Sequence, residues 1–530
     1  MSRLTYEGIR NAADWGDIRL PAYDVSAMRE QTLKAPLWLH FGAGNIFRGF
    51  IAALQHSLLQ QGLCDRGIIA AETFDAEIIA RIYAPHDNLA LLTTLHADGT
   101  MQNSVVAAIA HACDTASLDD LRAFAAAPSL QLMSFTITEK GYALYDLSGK
   151  PTPLALSDMQ NGPAHPVHAM AVVAALLLAR YEAGGAPLAL VSMDNCSHNG
   201  ERLRGAVLDI AKAWRANGFV SDEFIAYISD EARVAFPWTM IDKITPRPAE
   251  EVRAALERAG VQDMMPMTTA KSTVIAPFVN AEAPEYLVVE DAFPNGRPPL
   301  ERAGVLFCPR ETVNQVERMK VTTCLNPLHT ALAVFGCLLG YTSIAEETRD
   351  AQLTALIRRI GYDEGLPVVT HPGILDPRKF LDEVFTQRLP NRFIPDTPQR
   401  IATDTSQKMG IRFGETIKAY VADPERSVDS LVGIPLAIAG WLRYLLAVDD
   451  DLAPMTLSPD PLLTELSAAL SGIVPGQPDT ARGKLTPVLS NASLFGIDLY
   501  QAGLGGRIEA CFAQMLAGRG AVRATLMSNL

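Results

Sequence analysis

The first three hundred residues of this chain alternate short apolar runs with helix-type segments, and this alternation restricts the fold more than any single motif does. Runs typical of buried strands lie at 37–41, 67–72, 130–137, 188–193 and 286–290. Segments of helical character lie between them, at 46–61, 117–127, 167–183 and 201–216. This order predicts a mostly parallel sheet with helices on both faces.

The pattern changes at about residue 306, where strand-like runs nearly vanish. Segments with a 3.6-residue apolar period follow one another from there to about residue 517, which is typical of packed helices. A chain of 530 residues is also too long for one hydrophobic core. We therefore predict an α/β domain over residues 1–305 and a mostly α-helical domain over residues 306–530.

Charge and composition restrict the partners of the protein. The formal net charge of −14 disfavours nucleic acid and anionic membranes, because phosphate groups attract a surplus of lysine and arginine. A small acidic substrate is compatible with this charge, since it needs only one or two local cations. The best membrane candidate, 431–448, contains Pro435 and Arg443, so we predict a buried helix there.

Cysteine and histidine usage predicts a cytoplasmic protein without a bound metal. The seven cysteines are scattered and include no CxxC pair, and the first thirty residues hold no apolar run typical of a signal peptide. His165 and His168 form the only close histidine pair, and neither HExxH nor a cysteine cluster accompanies it. We therefore predict no metal cofactor.

Gly42 and Gly44 follow the first predicted strand and precede a helix-type segment. Two glycines in this position permit a tight turn and let the pyrophosphate of a dinucleotide approach the backbone at a helix N-terminus. A strict GxGxxG pattern would need glycine at position 47, where the chain has Phe47. An ordinary strand-to-helix turn is therefore the alternative interpretation.

The second predicted strand leads into two acidic residues, Glu72 and Asp75. An acid at this point accepts hydrogen bonds from the ribose hydroxyls of NAD and repels the additional phosphate of NADP. The sequence does not decide between the two residues. Either could instead be a solvated acid, and Asp75 could cap the helix that follows.

Polar groups also follow the later strand-like runs. Thr138 and Lys140 lie in TEKGY, and Asn195 lies in DNCSHNG. Ligands bind at the carboxyl ends of parallel strands in open α/β sheets, and the Asn195 amide could donate to a substrate oxygen, although such Asp, Asn and Gly clusters also form plain turns. A further loop contains one acid and two cations, Asp242, Lys243 and Arg247.

The segment ERMKVTTCLNPLH, residues 317–329, places a lysine, an asparagine and a histidine within ten residues. Hydride transfer between a carbonyl and an alcohol without a metal needs a proton donor, an amide that holds the oxygen, and a ring that orients a hydroxyl. Lys320, Asn326 and His329 could fill these roles. The alternative is structural, because Asn326 is a good N-cap and Pro327 suits the first helical position.

Six motifs occur here in the order in which the long-chain polyol dehydrogenases have them. They are GxGNxxR after the first strand, TEKGY, DNxxxNG, the loop MIDKITP, ExxK followed by NxxH, and RF followed by DxSxK. Over residues 36–450 the chain resembles this family, which includes mannitol dehydrogenase, fructuronate reductase and tagaturonate reductase. The resemblance implies an α/β Rossmann-type dinucleotide-binding domain followed by a mostly α-helical domain, with NAD as the cofactor.

The resemblance also implies roles by position. Lys320 corresponds to the catalytic acid/base, and Asn195 and Asn326 correspond to paired amides that hold the reacting oxygen. His329 matches a substrate-orienting histidine, and Glu317 matches a carboxylate on the proton exit path. The predicted cofactor-binding residues are Gly42, Gly44, Asn45, Phe47, Arg48, Glu72, Asp75, Thr138 and Lys140. The predicted substrate-binding residues are Asp242, Lys243, Arg247, Arg392, Arg400 and Lys408, of which Arg400 and Lys408 compete for one role.

One spacing departs from the family pattern. Five residues, VTTCL, separate Lys320 from Asn326, where the family usually has four. The two side chains would then lie about 100° further apart on a continuous helix. Either a bulge absorbs the extra residue, or the helix breaks before Pro327, because helical geometry is disfavoured in the residue before a proline.

These observations predict reversible, metal-independent hydride transfer between NAD(H) and a sugar acid or polyol. D-fructuronate and D-mannonate are the favoured pair, since the glycine loop GAGNIFRGF resembles that of the uronate reductases and Lys243 and Arg247 are cations available to a carboxylate. The alternatives are a mannitol or arabinitol 2- or 4-dehydrogenase and a tagaturonate reductase. We expect a monomer or small homo-oligomer with no nucleic-acid or membrane partner.

Overall fold

The computed structural model describes residues 2–146 and 148–530. They divide into two compact units. The first comprises the chain up to His96 together with Thr100–Asn314, and the second comprises Ala97–Gly99 and Gln315–Leu530.

A six-stranded sheet forms the centre of the first unit. Its strands are β1 Trp38–Phe41, β2 Ile68–Glu72, β3 Ile109–Asp114, β4 Leu132–Phe135, β5 Leu188–Ser192 and β6 Val234–Ala235. They are all parallel and lie in the order β3-β2-β1-β4-β5-β6. This is the strand order of a doubly wound dinucleotide-binding domain, so the predicted Rossmann-type fold is confirmed.

Both faces of this sheet are buried, which explains why its strands read as continuous apolar runs. In β1, Leu39 and Phe41 belong to one hydrophobic cluster, and Trp38 belongs to the cluster on the opposite face. In register, Trp38 lies between Ile68 of β2 and Leu132 of β4. The helix Ala169–Glu182 contributes to the first cluster and the helix Ala52–Gln60 to the second.

Helices connect the strands of the first unit. The α-helices are Tyr6–Ile9, Val25–Lys34, Ala52–Gln60, Leu118–Ala126, Thr138–Tyr142, Pro153–Asn161, Ala169–Glu182, Asn199–Ala216, Asp222–Ser229 and Glu250–Arg258. Wider π turns occur at Phe47–Ile51 and Ile79–Tyr83, and 3-10 turns occur at Ala12–Trp15, Ala84–His86 and Leu300–Ala303.

Smaller sheets surround the central one. One contains Phe278–Glu282, Ala90–Leu95 and Met101–Val106, another contains Leu306–Cys308, Tyr286–Glu290 and Thr239–Asp242, and a third pairs Met267–Thr268 with Val274–Ile275. The run at 286–290 is therefore a strand, but it does not belong to the main parallel sheet. It pairs antiparallel with Thr239–Asp242 in a smaller sheet. The sequence pattern also missed β3, whose polar residues His111 and Asp114 interrupt the apolar run.

The described part of the second unit contains helices and isolated bridges but no extended strand. Its segment Gln315–Leu530 begins within the helix Arg310–Met319. Its α-helices are Asn326–Leu338, Ile344–Glu347, Ala351–Arg358, Pro377–Glu383, Pro398–Ile401, Glu415–Ala422, Gly433–Tyr444, Leu463–Ala469, Thr486–Leu489, Ala492–Phe495, Gly505–Met515 and Ala521–Asn529. The π turns are Lys320–Cys324, Arg359–Gly365, Val384–Arg388 and Gly410–Gly414, and the 3-10 turns are Leu366–Val368, Thr405–Gln407, Val428–Ser430 and Pro478–Ala481. The predicted helical character of this region is confirmed.

Two apolar helices form the core of the second unit. Asn326–Leu338 packs against Gly433–Tyr444, and every residue of the latter is buried. Gly440 permits their close approach, because a Cβ there would stand 2.5 Å from the ring of Phe335. The stretch at 431–448 is thus a buried helix, as predicted. The helical run Arg310–Leu338 is long and apolar enough to span a membrane, but 83% of its most apolar window is buried inside the protein.

Candidate active site

The glycine loop after β1 leaves room for a ligand beside its backbone. Gly42 has a φ of +102°, and a Cβ there would overlap the carbonyl oxygen of Thr136, so only glycine fits. A Cβ at Gly44, in contrast, would meet no atom of the described residues within 4 Å. The pyrophosphate of a dinucleotide fits such a combination of a fixed turn and an open backbone.

Glu72, at the end of β2, holds this loop in place. One carboxylate oxygen accepts from the backbone N–H of Ala43 at 2.7 Å, and the other accepts from Phe74 and Asp75 at 2.8 and 3.1 Å. The Tyr83 hydroxyl donates to the carbonyl of Ala43 at 2.9 Å. Both backbone groups of Ala43 are therefore fixed by side chains, and Glu72 positions the loop in addition to any contact with a ribose.

Asp75 is also buried, and it is bound by the hydroxyl of Thr269 at 2.6 Å. Burial by itself would raise the pKa of Asp75, but hydrogen bonds from Thr269 and Thr273 outweigh it and lower the pKa below its usual value. Asp75 thus remains ionised, and it connects β2 to the segment that contains Thr269. Both candidate ribose acids have structural partners within the protein.

Three further residues of the predicted cofactor set support the loop from within. The buried Arg48 donates to the side-chain oxygen of Asn45 and to the carbonyl of Ala276, both at 2.8 Å. Phe47 is fully buried and stacks on His40 with ring centroids 4.2 Å apart. The π turn Phe47–Ile51 accommodates these two large side chains directly after the glycines.

Asp194 joins the carboxyl ends of β4 and β5. Its carboxylate accepts from the backbone N–H groups of Ile137 and Thr138 at 3.0 and 2.9 Å, and from the Tyr142 hydroxyl at 2.6 Å. Burial raises the pKa of Asp194, and these hydrogen bonds oppose that shift. No role was predicted for Asp194 from the sequence, although it directly precedes the predicted amide donor Asn195.

The predicted ligand-contacting side chains at these strand ends are accessible. Asn195, Thr138 and Lys140 are all exposed. The buried Asn199 anchors the loop after β5, because its amide donates to the Thr239 hydroxyl at 2.8 Å and accepts from the Thr239 backbone at 3.0 Å. Asn195 therefore projects from a loop that is fixed at both ends.

The loop that follows Thr239–Asp242 differs from its expected role in one respect. Asp242 is buried and Arg247 is exposed. The Lys243 ammonium donates to the Glu285 carboxylate at 2.7 Å and to the Glu282 carbonyl at 2.6 Å, and its side chain is 3% exposed. Lys243 is therefore engaged within the protein, and it is not a spare cation for a substrate carboxylate.

In the second unit, Lys320 begins a π turn that ends at Cys324. Leu325 leaves helical geometry with φ −132° and ψ −59°, and a new helix begins at Asn326. Lys320 is buried, while Glu317, Asn326 and His329 are partly exposed. Asn326 and His329 are three residues apart in the new helix, so they share one face.

The environment of His329 favours its neutral form. Burial lowers its pKa to about 4, the Asp396 carboxylate opposes this shift, and the charges of Arg388, Arg412 and Arg400 add to it. A neutral imidazole can both donate and accept hydrogen bonds, as the orientation of a substrate hydroxyl requires.

The charges of three arginines in the second unit, Arg388, Arg400 and Arg412, act on His329. Arg400 pairs with Asp396, and Lys408 donates to the carbonyl of Thr403. Arg412 donates to the Thr330 hydroxyl. The exposed Arg392 lies over the ring of Phe393 at 4.7 Å. The sequence analysis named Arg392, Arg400 and Lys408 but missed Arg388 and Arg412; the spacing of Arg412, one helical turn beyond Lys408, could have indicated it.

Comparison with protein families assigns the chain. The family described as mannitol dehydrogenase Rossmann domain matches residues 37–302, and the mannitol dehydrogenase C-terminal domain matches residues 312–516. This chain belongs to the mannitol dehydrogenase family. It is accordingly an NAD-dependent oxidoreductase that acts on a CH–OH group of a small polyol or sugar acid.

Individual relatives in this family agree with the assignment. The D-mannonate oxidoreductase of Thermotoga maritima is 50% identical over 99% of this chain and 98% of its own length. The mannitol 2-dehydrogenase of Pseudomonas fluorescens, solved in a ternary complex with NAD and D-mannitol, is 25% identical, has a TM-score of 0.70 and covers 99% of both chains. A substrate-free D-sorbitol dehydrogenase shares the fold with a TM-score of 0.80 and 24% identity, over 96% of this chain and 98% of its own.

Proposed function

We propose that this protein catalyses the reversible reduction of D-fructuronate to D-mannonate with NADH. The observation that carries the proposal is that the charges of three arginines, Arg388, Arg400 and Arg412, act on His329, in a chain whose net charge is −14. A neutral polyol has no need of such a group, whereas a sugar acid brings a carboxylate that arginine binds well. The 50% identity to a D-mannonate oxidoreductase supports the same substrate.

The cofactor is assigned to the glycine loop of the first unit. Gly42 and Gly44 shape the backbone for the pyrophosphate, and Asn45, Phe47 and Arg48 keep the loop in place. Glu72 or Asp75 accepts from the ribose, while Thr138 and Lys140 lie at the end of β4. NAD, when bound, supplies the hydride acceptor for oxidation, and NADH supplies the hydride donor for reduction.

Lys320 moves the proton of the reaction. In the reducing direction its ammonium gives a proton to the substrate oxygen, and in the oxidising direction its neutral amine takes that proton back. The amides of Asn195 and Asn326 donate to the same oxygen and stabilise its developing negative charge. His329 orients an adjacent hydroxyl, and Glu317 relays the proton toward solvent.

Asp242, Arg247, Arg392 and Arg400 are proposed to bind hydroxyls or the carboxylate, whereas Lys243 acts through its ion pair with Glu285. We also propose the domain boundary near residue 305, a cytoplasmic location, and a monomer or small homo-oligomer.

A spectrophotometric comparison of keto sugars tests the substrate. Purified protein is supplied with NADH and either D-fructuronate, D-tagaturonate or D-fructose, and kcat/KM is measured for each. We expect D-fructuronate to give the highest kcat/KM, unchanged by a metal chelator. A higher kcat/KM with D-fructose would contradict the proposal for a sugar acid, and a higher value with D-tagaturonate would reassign the stereochemistry at a single carbon.

A further inference from the structure

Arg412 lies in a short π turn, Gly410–Gly414, that packs against several neighbouring elements of the second unit. A Cβ at Gly414 would overlap the carbonyl oxygen of Phe495, so the backbone can approach that segment only as glycine. On its other side the turn packs against Lys320–Cys324 and against the helix Asn326–Leu338. The backbone that carries Arg412 is thus fixed beside the segments that carry Lys320, Asn326 and His329.

A single hydrogen bond directs the Arg412 side chain. Its guanidinium donates to the Thr330 hydroxyl at 2.5 Å, and Thr330 in turn donates to the carbonyl of Asn326 at 3.0 Å. Thr330 directly follows His329 in the sequence. The guanidinium therefore lies at the first turn of the helix that bears two of the proposed catalytic residues.

Arg412 is partly buried and has fewer partners than the fully buried arginines Arg180 and Arg443. A guanidinium offers five N–H donors. Arg180 uses its donors on five backbone carbonyls, and Arg443 uses its donors on three. In the described part of the chain Arg412 has one acceptor, the Thr330 hydroxyl, and no carboxylate within ion-pair distance. Most of its donors are available to a ligand.

The charge of Arg412 is likewise unbalanced. Burial lowers its pKa to about 10, so it remains a cation at neutral pH. Lys408 lies one helical turn before it, as the bond from the Arg412 backbone N–H to the Lys408 carbonyl at 2.9 Å shows. Two like charges at this spacing repel each other, and even partial burial of a cation without an ion-pair partner is unfavourable. An anion bound at Arg412 would relieve both costs.

We infer that Arg412 binds the carboxylate of the substrate and thereby sets the preference for a sugar acid over a neutral polyol. The inference rests on the proposed function. A carboxylate accepts two parallel N–H bonds from a guanidinium fork. The fixed backbone and the Thr330 hydrogen bond orient that fork, so that the acid end of the substrate is held while the reacting carbon lies toward Lys320 and His329.

Substitution of Arg412 tests this assignment. The variants are Arg412→Met, which keeps an unbranched apolar side chain without the charged head, and Arg412→Lys, which keeps the charge without the fork. Arg349→Met, at an exposed position of the same unit, is the control. For each protein kcat/KM is measured with NAD and D-mannonate or D-mannitol, and thermal stabilisation by each compound is measured in the presence of NADH.

We expect Arg412→Met to lower the ratio of kcat/KM for D-mannonate over D-mannitol by about 10- to 100-fold, as the loss of one charged hydrogen-bonding partner implies. The rise in KM for D-mannonate should account for most of the loss. Arg412→Lys should lie between Arg412→Met and the wild type, and Arg349→Met should match the wild type. Arg412→Met should also lose the thermal stabilisation by D-mannonate in the presence of NADH.

Two outcomes separate this inference from the proposed function. A wild-type protein that prefers D-mannitol would contradict the proposed function itself. A wild-type preference for D-mannonate that survives in Arg412→Met, or an equal fall with both substrates, would overturn the role of Arg412 alone. If Arg412→Met fails to fold, an unchanged substrate ratio in Arg412→Lys, together with unchanged stabilisation by D-mannonate, would also overturn it.

Discussion

The backbone N–H of Leu325 donates to the carbonyl oxygen of Lys320 at 3.1 Å, across five residues. This bond closes a π turn, which contains one residue more than an α-helical turn. The extra residue between Lys320 and Asn326 is absorbed there, and the helix then breaks at Leu325 before Pro327. The two alternatives predicted from the sequence, a bulge and a break of the helix, thus occur together.

A deletion and an insertion in this turn should have opposite consequences. Removing Val321, the partly exposed residue of the turn, closes a standard α-helical turn and leaves the flanking segments in place, so kcat/KM should fall by no more than about tenfold. Adding an alanine after Val321 rotates Asn326 and His329 away from Lys320, and misplacement of this kind costs about 100-fold or more. Steady-state kinetics on both variants, with thermal denaturation as the folding control, distinguish these effects. Equal loss in the two variants would contradict this account of the turn.

Replacing Lys320 by methionine should abolish proton transfer without unfolding the protein. Methionine fills the buried site, and a general acid/base contributes about 100- to 10,000-fold to turnover. The fall should appear in kcat in both reaction directions. Lys379→Met, at an exposed position of the same unit, should retain full activity. Turnover of Lys320→Met close to that of the wild type would remove Lys320 from the mechanism.

Glu72→Gln should weaken cofactor binding through the glycine loop. Glutamine has one accepting oxygen in place of two, so at least one of the backbone N–H groups of Ala43, Phe74 and Asp75 that now donate to Glu72 loses its acceptor. Leaving that donor unpaired costs about 1–3 kcal/mol, which we expect to divide between lower stability and a higher Kd for NADH. Fluorescence titration with NADH measures the Kd, and Glu182→Gln at an exposed position serves as the control. An unchanged Kd would show that Glu72 does not organise the loop.

Glu347 should make the protein less stable as pH rises. Its two carboxyl oxygens are buried without a hydrogen-bond partner in the described residues, beside Gly336 of the core helix. Burial, assisted by the charge of Asp350, raises the pKa of Glu347 from 4.5 to about 9. The folded state therefore keeps a proton that the unfolded state has lost between these two values, and the contribution of this residue falls as pH rises, by at most about 1.4 kcal/mol per pH unit.

Denaturant titrations at about pH 5.5 and about pH 8.5 test the role of Glu347. The wild type should have a lower free energy of unfolding at the higher pH, and Glu347→Met should lose less stability over the same interval. Glu346→Met alters the adjacent exposed carboxylate and should behave like the wild type. An identical pH dependence in all three proteins would show that Glu347 does not titrate in this range.

Local features of the sequence were sufficient for the fold class and for the order of the motifs. Strands β1, β2, β4 and β5 were predicted because both faces of the sheet are buried and each strand is a continuous apolar run. The apolar period continues through residues 343–360, but the structure divides this stretch, because the Asp350 carboxylate caps a new helix by accepting from the backbone N–H groups of Gln352 and Leu353. Apolar periodicity does not predict a helix cap that lies within an otherwise continuous apolar pattern.

The sequence could not predict which side chains pair with each other, because the ion pairs and hydrogen bonds join residues that are far apart in the chain. Lys243 was predicted to be a cation available to a substrate carboxylate, but its ammonium donates to the Glu285 carboxylate at 2.7 Å. Glu72 was predicted as a ribose ligand, but its bond to Ala43 makes it a support of the glycine loop as well. The hydrogen bond of Arg412 joins residues that are 82 positions apart.

The sequence by itself determined the Rossmann-type unit, the helical unit and the family, since apolar periodicity and short motifs depend on neighbouring residues. The tertiary structure alone decided which charges are paired and how the extra residue after Lys320 is accommodated. Ion pairs and helix register depend on packing between distant segments, because only the folded chain fixes the distance between two side chains and the water that is excluded around them.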